Sequence, residues 1–125
     1  MNSPVMFIVD DDAQVRTAIH RLLMSLKMPI RMFGSAEQFL AHTDSSARGC
    51  LILDLRLPGM SGLQLQKQLH DEEWKLPVII VTAHDEDETK DSALRLGAIA
   101  YMRKPFDRQE LLDSIQIAVA TSIGS

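Results

Sequence analysis

Carboxylates stand at two points of the chain where an apolar run ends. Asp10 and Asp11 follow the run VMFIV, and Asp54 follows the run CLIL. The hydroxyl of Thr82 follows VIIV, and the ammonium group of Lys104 comes shortly after AIAYM. Carboxylates that are brought close together repel each other unless a cation offsets their charge. Whether these five side chains meet depends on the elements that carry them.

Five short apolar runs recur at intervals that suit one strand and one helix each. Four are continuous, as expected for parallel strands that are buried on both faces. The second is interrupted by Arg31 and preceded by Pro29, which favours a strand at the edge of a sheet. The predicted strands are residues 5–9, 30–33, 50–53, 78–81 and 98–102.

The segments between these runs have helical periodicity. Asp12 and Ser35 stand where N-caps of the first two helices are expected, Ser35 within the capping-box pattern SAEQ, and Asp107 begins the last helix. Five alternations of strand and helix predict an α/β doubly wound sandwich, in which helices cover both faces of a five-stranded parallel sheet. We expect one domain over residues 1–125, with its core at about residues 5–119 and a tail or the start of a linker at 120–125.

Composition argues against several classes of function. A formal net charge of −4 over 125 residues argues against direct binding to nucleic acid, because a phosphate backbone requires a basic surface. A single cysteine, Cys50, excludes an internal disulfide and a cysteine-based zinc site. The apolar runs are too short to span a bilayer, and the first residues, MNSP, lack the positive charge of a targeting signal. We expect a soluble cytoplasmic protein with no membrane partner.

The carboxyl ends of parallel strands meet at one rim, where open α/β sheets bind their ligands. That rule brings Asp10, Asp11 and Asp54 together with Thr82 and Lys104. Carboxylate, carbonyl and water oxygens favour Mg²⁺ or Mn²⁺ over Zn²⁺. A metal, a lysine and a hydroxyl around one carboxylate suit phosphoryl transfer onto it. Asp54 is the better acceptor, since the next charged residue after it is Arg56, while the adjacent Asp10 and Asp11 would hold the metal.

Four motifs, in this order, resemble the signature of response regulator receiver domains. They are VDDD at residues 9–12, LDLRLPGMSG at 53–62, VTA at 81–83 and KPF at 104–106. The resemblance covers about residues 5–119 and implies a flavodoxin-like (βα)5 sandwich with strand order 2-1-3-4-5, an order that the residue pattern alone does not give. The surroundings of SAEQFL and KPF are most similar to the FixJ-like group, whose receivers are attached to a LuxR-type output domain.

The resemblance implies a role for each acidic residue of the rim. Asp54 would accept a phosphoryl group from a phosphohistidine on a sensor histidine kinase. Asp11, Asp54 and the backbone carbonyl of Arg56 would bind Mg²⁺, and Asp10 would act largely through a bound water. Arg56 and His84, two residues after the acceptor and after Thr82, would tune the phosphoryl lifetime; otherwise they are solvated loop residues.

A second group of residues would respond to the phosphoryl group. Lys104 would pair with the acceptor and then with the phosphoryl group, and the bond from Lys104 to Pro105 is usually cis in such domains. Thr82 and Ala83 would bind phosphoryl oxygens, and Tyr101 would swing inward into the space that Thr82 vacates. Residue type alone favours equally a half-buried Tyr101 with its hydroxyl in water.

Two further patterns have simple structural interpretations. The acidic run at residues 85–88 suits the first turn of the fourth helix, where carboxylates meet the positive end of the helix dipole, better than a second metal site. Methionine side chains fit the core or its edge better than a binding surface. The methionines in question are Met6, Met24, Met28, Met32, Met60 and Met102.

The leading hypothesis is a phosphorylation-activated signalling module that catalyses only its own phosphorylation and dephosphorylation. A Mg²⁺-dependent phosphohydrolase with an aspartate nucleophile commonly carries a second Asp two residues later, where this chain has Arg56, which cannot donate a proton in that role. A flavodoxin-like cofactor binder lacks its phosphate-binding loop, and a degenerate receiver is disfavoured because the acidic, Thr and Lys set is complete.

The output of such a module stays open at this point. A receiver excised from a transcription factor and a free-standing receiver or phosphorelay protein both suit the sequence. In the first case, DNA would be bound only by an output domain outside this chain. Phosphorylation would promote a homodimer through the fourth helix, fifth strand and fifth helix (α4-β5-α5), where residues 93–96, Tyr101 and Arg103 are expected.

Overall fold

Strands and helices alternate along the chain, as the sequence predicts. The computed structural model describes residues 3–83 and 87–124. The strands are β1 Val5–Val9, β2 Ile30–Phe33, β3 Gly49–Leu53, β4 Val78–Thr82 and β5 Ala100–Arg103. The helices are α1 Ala13–Leu23, α2 Ala36–His42, α3 Gly62–Asp71, α4 Asp87–Arg95 and α5 Arg108–Gly124, and a 3₁₀ turn, Met24–Leu26, follows α1.

The five strands form one parallel sheet in the order β2-β1-β3-β4-β5. This order and the doubly wound α/β class are confirmed, and β2 lies at an edge as Pro29 and Arg31 indicate. The register places Val9 opposite Phe33 and Leu53, so the carboxyl ends of the first three strands in space are level.

The hydrogen-bond ladder continues one residue beyond three of the strands. The Asp10 N–H donates to the last residue of β2 at 3.1 Å, and the Asp54 N–H donates to the last residue of β1 at 3.0 Å. The Lys104 N–H donates to the last residue of β4 at 2.8 Å. Because these amides are bonded in the ladder, the three charged side chains project from fixed backbone positions on one rim.

Two hydrophobic cores lie on opposite faces of the sheet, because alternate strand residues point to opposite sides. On one face, the ring of Phe39 from α2 makes edge-to-face contacts with Phe7 and Phe33, with ring centres 5.6 and 5.7 Å apart. On the other face, α1 and α5 contribute the fully buried Ile19 and Leu111. The strands β3 and β4 are buried along their whole length, which explains their continuous apolar runs.

Most of the predicted helix starts agree with the structure. Asp12 caps α1 by accepting the Gln14 N–H at 2.9 Å, and Asp107 accepts the Glu110 N–H at 2.8 Å at the start of α5. Ser35 accepts the N–H of Gln38. The Gln38 side chain, however, accepts the N–H of Gly34, so only half of the predicted capping box forms there.

The structure differs from the sequence predictions at several places. Met24 and Met32 are 62% and 44% exposed, because Met24 lies in the turn after α1 and Met32 lies on the edge strand β2. Ala93 is fully buried, and its carbonyl accepts from the Gln66 amide at 2.8 Å, so it does not belong to an exposed α4 surface. The segment after Val119 is helical as far as Gly124.

Among the described residues, no helix is long and apolar enough to cross a membrane.

Gly62, at the start of α3, packs against the backbone that follows β3, and a substitution can test this contact. A Cβ atom at Gly62 would overlap the carbonyl oxygen of Asp54 and lie 2.7 Å from the Leu55 Cα. We expect Gly62→Ala to lower the free energy of unfolding by about 1–3 kcal/mol, as overpacking does, measured by urea denaturation. Gly34→Ala is the control, since its Cβ would approach no side-chain atom closer than 3.5 Å. Equal losses in the two variants would contradict the contact.

Candidate functional site

Asp54 lies at the centre of the rim, directly after β3, and is 6% exposed. Its Oδ1 accepts hydrogen bonds from the Thr82 hydroxyl at 2.9 Å and from the Arg56 backbone N–H at 3.0 Å. Its Oδ2 accepts a hydrogen bond from Lys104 Nζ at 2.8 Å. Three segments of the chain therefore fix this carboxylate: the end of β4, the loop after β3 and the loop after β5.

Lys104 connects the two buried carboxylates of the rim. Its Nζ lies 2.7 Å from Asp10 Oδ2 and 2.8 Å from Asp54 Oδ2. Its peptide bond to Pro105 is cis, as the resemblance implies. Burial by itself lowers the pKa of Lys104, but the hydrogen bonds and charges of the two carboxylates outweigh burial and raise this pKa. Lys104 is therefore protonated at neutral pH.

Asp10 is 2% exposed. Burial raises the pKa of Asp10, and the hydrogen bonds that it accepts from Lys104 and from the Asp12 N–H at 2.9 Å oppose that rise. The Asp10 carbonyl accepts from Arg16 Nη1 at 2.6 Å, which ties α1 to the rim. A buried carboxylate of this kind needs a cation beside it to stay charged, and Lys104 supplies one.

A divalent metal ion fits the donor set of the rim. One carboxylate oxygen from each of Asp10, Asp11 and Asp54 lies within 4.8 Å of the other two, and Asp11 is exposed to solvent. Three carboxylates against the ammonium group of Lys104 leave two negative charges uncompensated, which matches the charge of Mg²⁺ or Mn²⁺. Within residues 3–83 and 87–124, no other group of three or more His, Cys, Asp or Glu side chains has this spacing.

The remaining residues predicted for the site differ in their environment. The backbone N–H of Arg56 donates to Asp54, while the Arg56 side chain is exposed. Thr82 is fully buried and is already bonded to Asp54, and the adjacent Ala83 is exposed. His84, predicted as a tuning residue, lies outside the described residues, as do residues 85 and 86 of the acidic run.

Tyr101 is half-buried on β5, which agrees with one of the two environments expected for it from its residue type. The Nζ atom of Lys90, on α4, lies 5.6 Å from the centre of its ring, within the range of a cation–π contact. The ring also packs at the margin of the core on the α2–α3 face of the sheet. Tyr101 therefore joins α4 and β5 in this conformation.

An open groove of about 490 Å³ borders the rim between the start of α1 and the loop that follows β5. Its lining includes the apolar side chains of Val15, Ala18 and Phe106, and Lys104 belongs to both the groove and the rim. An apolar surface thus lies next to the rim that holds the buried carboxylate of Asp54.

Sequence reasoning missed two contacts that shape the site. Arg16 lies on α1 without any motif that relates it to the Asp10 carbonyl. Glu37, in the first turn of α2, accepts the Met60 N–H at 2.9 Å and so holds the loop between β3 and α3. Both contacts join a side chain to the backbone of another element, and hydrophobic periodicity carries no signal for such bonds.

Comparison with protein families gives one match over most of the chain. The family model described as the response regulator receiver domain matches residues 6–116. The transcriptional regulatory protein TdiR of Thauera aromatica is 39% identical over 119 residues, which are 95% of this chain and 52% of TdiR. The chain spans about half the length of the curated relatives it matches.

Solved structures agree with this match. The response regulator StyR superposes with a TM-score of 0.91 at 38% identity, covering 98% of this chain and 62% of the StyR chain. The crystal structure of FixJ-N superposes with a TM-score of 0.83 at 33% identity, covering 96% of each chain.

The shared lysine gives a stability prediction. Lys104→Met keeps the length of the side chain but removes its charge, so that Asp10 and Asp54 face each other without a cation. We expect the free energy of unfolding at pH 7, without divalent metal, to fall by about 3 kcal/mol in chemical denaturation, the size typical of breaking a buried ion pair. The additional change Asp54→Asn should recover part of that loss. An undiminished loss in the double variant would reject charge repulsion as its cause.

Proposed function

The chain belongs to the family of response regulator receiver domains, and from that premise we propose that it is a signalling switch controlled by phosphorylation of Asp54. The observation that carries the proposal is the setting of this carboxylate. It is buried at a strand end, and a hydroxyl, a backbone N–H and an ammonium group donate to its two oxygens. Donors of this kind stabilise the charge of a phosphoryl group during transfer.

The phosphodonor is proposed to be a phosphohistidine of a sensor histidine kinase. A carboxylate oxygen of Asp54 attacks the phosphorus, and a P–O bond forms while the P–N bond to the imidazole breaks. The electron pair of the broken bond stays on the imidazole nitrogen, which is then protonated from solvent. Lys104 moves from Asp54 Oδ2 to a phosphoryl oxygen, so its charge is paired before and after the transfer.

The groove between α1 and the loop after β5 supports the proposal of a protein phosphodonor. A kinase segment that presents a phosphohistidine must reach Asp54 from the solvent side of the rim. The apolar side chains of Val15, Ala18 and Phe106 offer a docking surface on that side, adjoining the lysine that the phosphoryl group would contact.

Mg²⁺, or Mn²⁺ in its place, is proposed to bind at Asp10, Asp11 and Asp54 together with the backbone carbonyl of Arg56. Asp10 would contribute largely through a water molecule. The bound ion supplies neutralisation of negative charge on the acceptor and on the incoming phosphoryl group. The oxygen donors and their uncompensated charge support this assignment.

After phosphorylation, Thr82 and Ala83 would bind the phosphoryl oxygens. The Thr82 hydroxyl already reaches Asp54, so a short movement suffices. Tyr101 would then turn inward and pass the change to the surface formed by α4, β5 and α5. In the present conformation the ring contacts Lys90 of α4, so a turn of Tyr101 would change a contact between α4 and β5.

The output is inferred from the relatives. TdiR is named as a transcriptional regulatory protein, and matched relatives are about twice as long as this chain. We propose that a cytoplasmic transcriptional regulator carries this receiver, and that DNA binding resides in its output domain, since the net charge of this chain is −4. Phosphorylation would favour a homodimer through α4, β5 and α5, where Leu94 and Arg103 are exposed.

A free-standing receiver is the alternative to a transcriptional regulator, with the same chemistry at Asp54. The chemistry is proposed to be confined to this chain's own phosphorylation and dephosphorylation. Arg56 occupies the position at which a phosphohydrolase of this type would need a proton donor. Arg56 and His84 are proposed to set the lifetime of the phosphoryl group.

Phosphorylation of Asp54 can be tested directly. The chain is incubated with MgCl₂ and acetyl phosphate and then analysed by intact-mass spectrometry. We expect one added phosphoryl group in the wild type and in Asp44→Asn, a control that alters an exposed aspartate. We expect none in Asp54→Asn, because the amide cannot serve as the acceptor. The absence of an adduct on the wild type, or an adduct that persists in Asp54→Asn, would contradict the assignment of Asp54 as the phosphorylation site.

The metal assignment has a matched pair of variants. Asp11→Asn removes a proposed ligand, whereas Asp12→Asn makes the same change one residue later and keeps a good N-cap for α1. We expect the rise in melting temperature that MgCl₂ produces to disappear in Asp11→Asn and to persist in Asp12→Asn. Equal Mg²⁺ responses in the two variants would reject Asp11 as a ligand.

A further inference from the structure

Glu37 extends from α2 to the loop that follows the acceptor strand. Its Oε2 accepts the Met60 N–H at 2.9 Å, a contact between residues 23 positions apart. Met60 belongs to the β3–α3 loop, residues 54–61, which starts with Asp54 and also contains Arg56. A carboxylate from another element thus bonds the loop that carries the acceptor and the proposed backbone ligand.

The backbone of this loop is shaped to receive the carboxylate. Gly59 has φ +74°, a conformation that residues with a Cβ rarely adopt. A Cβ at Gly59 would overlap the Oε2 atom of Glu37. Glycine therefore permits both the turn and the close approach of the carboxylate to the backbone at residues 59 and 60.

Other hydrogen bonds towards the end of this loop are local. Gly62 N–H donates to the Leu55 carbonyl at 2.8 Å, and Ser61 forms a capping box with Gln64 at the start of α3. These bonds close the loop upon itself and upon the helix that follows it. The bond from Glu37 differs because it attaches the far side of the loop to α2, which is anchored in the core by the fully buried Phe39.

Glu37 is charged in the neutral pH range. The Met60 N–H, and then its own backbone N–H, lower the pKa of Glu37. Its place in the first turn of α2 puts the negative charge at the positive end of the helix dipole. A charged acceptor makes a stronger bond to a backbone N–H than a neutral one does.

We propose that Glu37 is a positioning residue for the phosphorylation site, which acts by holding the β3–α3 loop through Met60. With the loop held, the Arg56 carbonyl and Asp54 keep one arrangement for the metal and for the phosphoryl group. The inference rests on the proposed function, since it concerns the same site. It adds a residue that touches neither the metal nor the reacting atoms.

The test compares Glu37→Ala with Glu37→Gln, which keeps an oxygen that can accept the Met60 N–H. In Glu37→Ala we expect faster hydrogen exchange of the Met60 amide, measured by NMR without metal. We also expect an Mg²⁺ dissociation constant about three- to tenfold higher, since only part of the energy of the lost hydrogen bond is felt at the metal ligands. Glu37→Gln should restore both quantities to within about twofold of wild type. The rate of phosphorylation by acetyl phosphate should follow the Mg²⁺ affinity.

Glu110→Ala is the matched control, because Glu110 is an exposed carboxylate in the first turn of α5. It removes the same charge from an equivalent place in another helix, and we expect no change in Mg²⁺ affinity. Gly59→Ala is a second test, because its Cβ would displace the Glu37 carboxylate without removing it, and the Mg²⁺ affinity is measured again. Its effect on Mg²⁺ affinity should be smaller in the Glu37→Ala background, where no carboxylate remains to be displaced.

Three results would overturn the proposal: unchanged Met60 exchange and Mg²⁺ affinity in Glu37→Ala, no rescue by Glu37→Gln, or an equal effect of Glu110→Ala. A wild-type chain that binds Mg²⁺ but takes no phosphoryl group would reject the proposed function alone. In that case the Mg²⁺ affinities of the variants, which need no phosphodonor, still support or overturn the role of Glu37.

Discussion

Two carboxylates with almost no solvent exposure, Asp10 and Asp54, share the ammonium group of Lys104 at the rim of the sheet. Removal from water penalises the charge of each carboxylate, and the two charges repel each other; the ammonium group of Lys104 offsets both costs. One lysine compensates only part of the charge once Asp11 is included. The remaining negative charge of the rim favours the binding of a further cation beside Asp54.

The sheet supplies the geometry on which this pairing depends. Parallel strands with level ends, extended by one ladder bond each at Asp10 and Asp54, hold the two carboxylates in place from the backbone. Cores on both faces make that backbone rigid, since β3 and β4 are buried along their length. The loops then add finer adjustment: Arg16 bonds the Asp10 carbonyl, and Glu37 bonds the loop after Asp54. The sheet thus places the charged residues, and side chains from α1 and α2 then hold the backbone next to them.

Hydrophobic patterns predict the strands and the residues at their ends. They do not predict strand order, the exposure of residues at the edges of elements, or bonds from a side chain to the backbone of another element. Continuous apolar runs identify strands buried on both faces, and the strand-end rule brings Asp10, Asp54 and Lys104 together from the sequence alone. Strand order came from the family resemblance, because an apolar run carries no information about which strand lies beside it. Met24 and Met32 were predicted at the core or its edge and are exposed, since a pattern does not show where a helix or a sheet edge stops covering its neighbours. The bond from Glu37 to Met60 was invisible, because side-chain to backbone contacts between elements have no periodicity.

The lysine that completes the rim comes from the last strand–helix unit, 94 residues after Asp10 and 50 after Asp54. A polypeptide emerging from the ribosome exposes both carboxylates and the Thr82 hydroxyl before it exposes Lys104. Until β5 docks against β4, the nascent domain carries the acidic pair without its counter-charge. The charge-paired rim consequently exists only in chains synthesised beyond Lys104, and shorter translation products lack it.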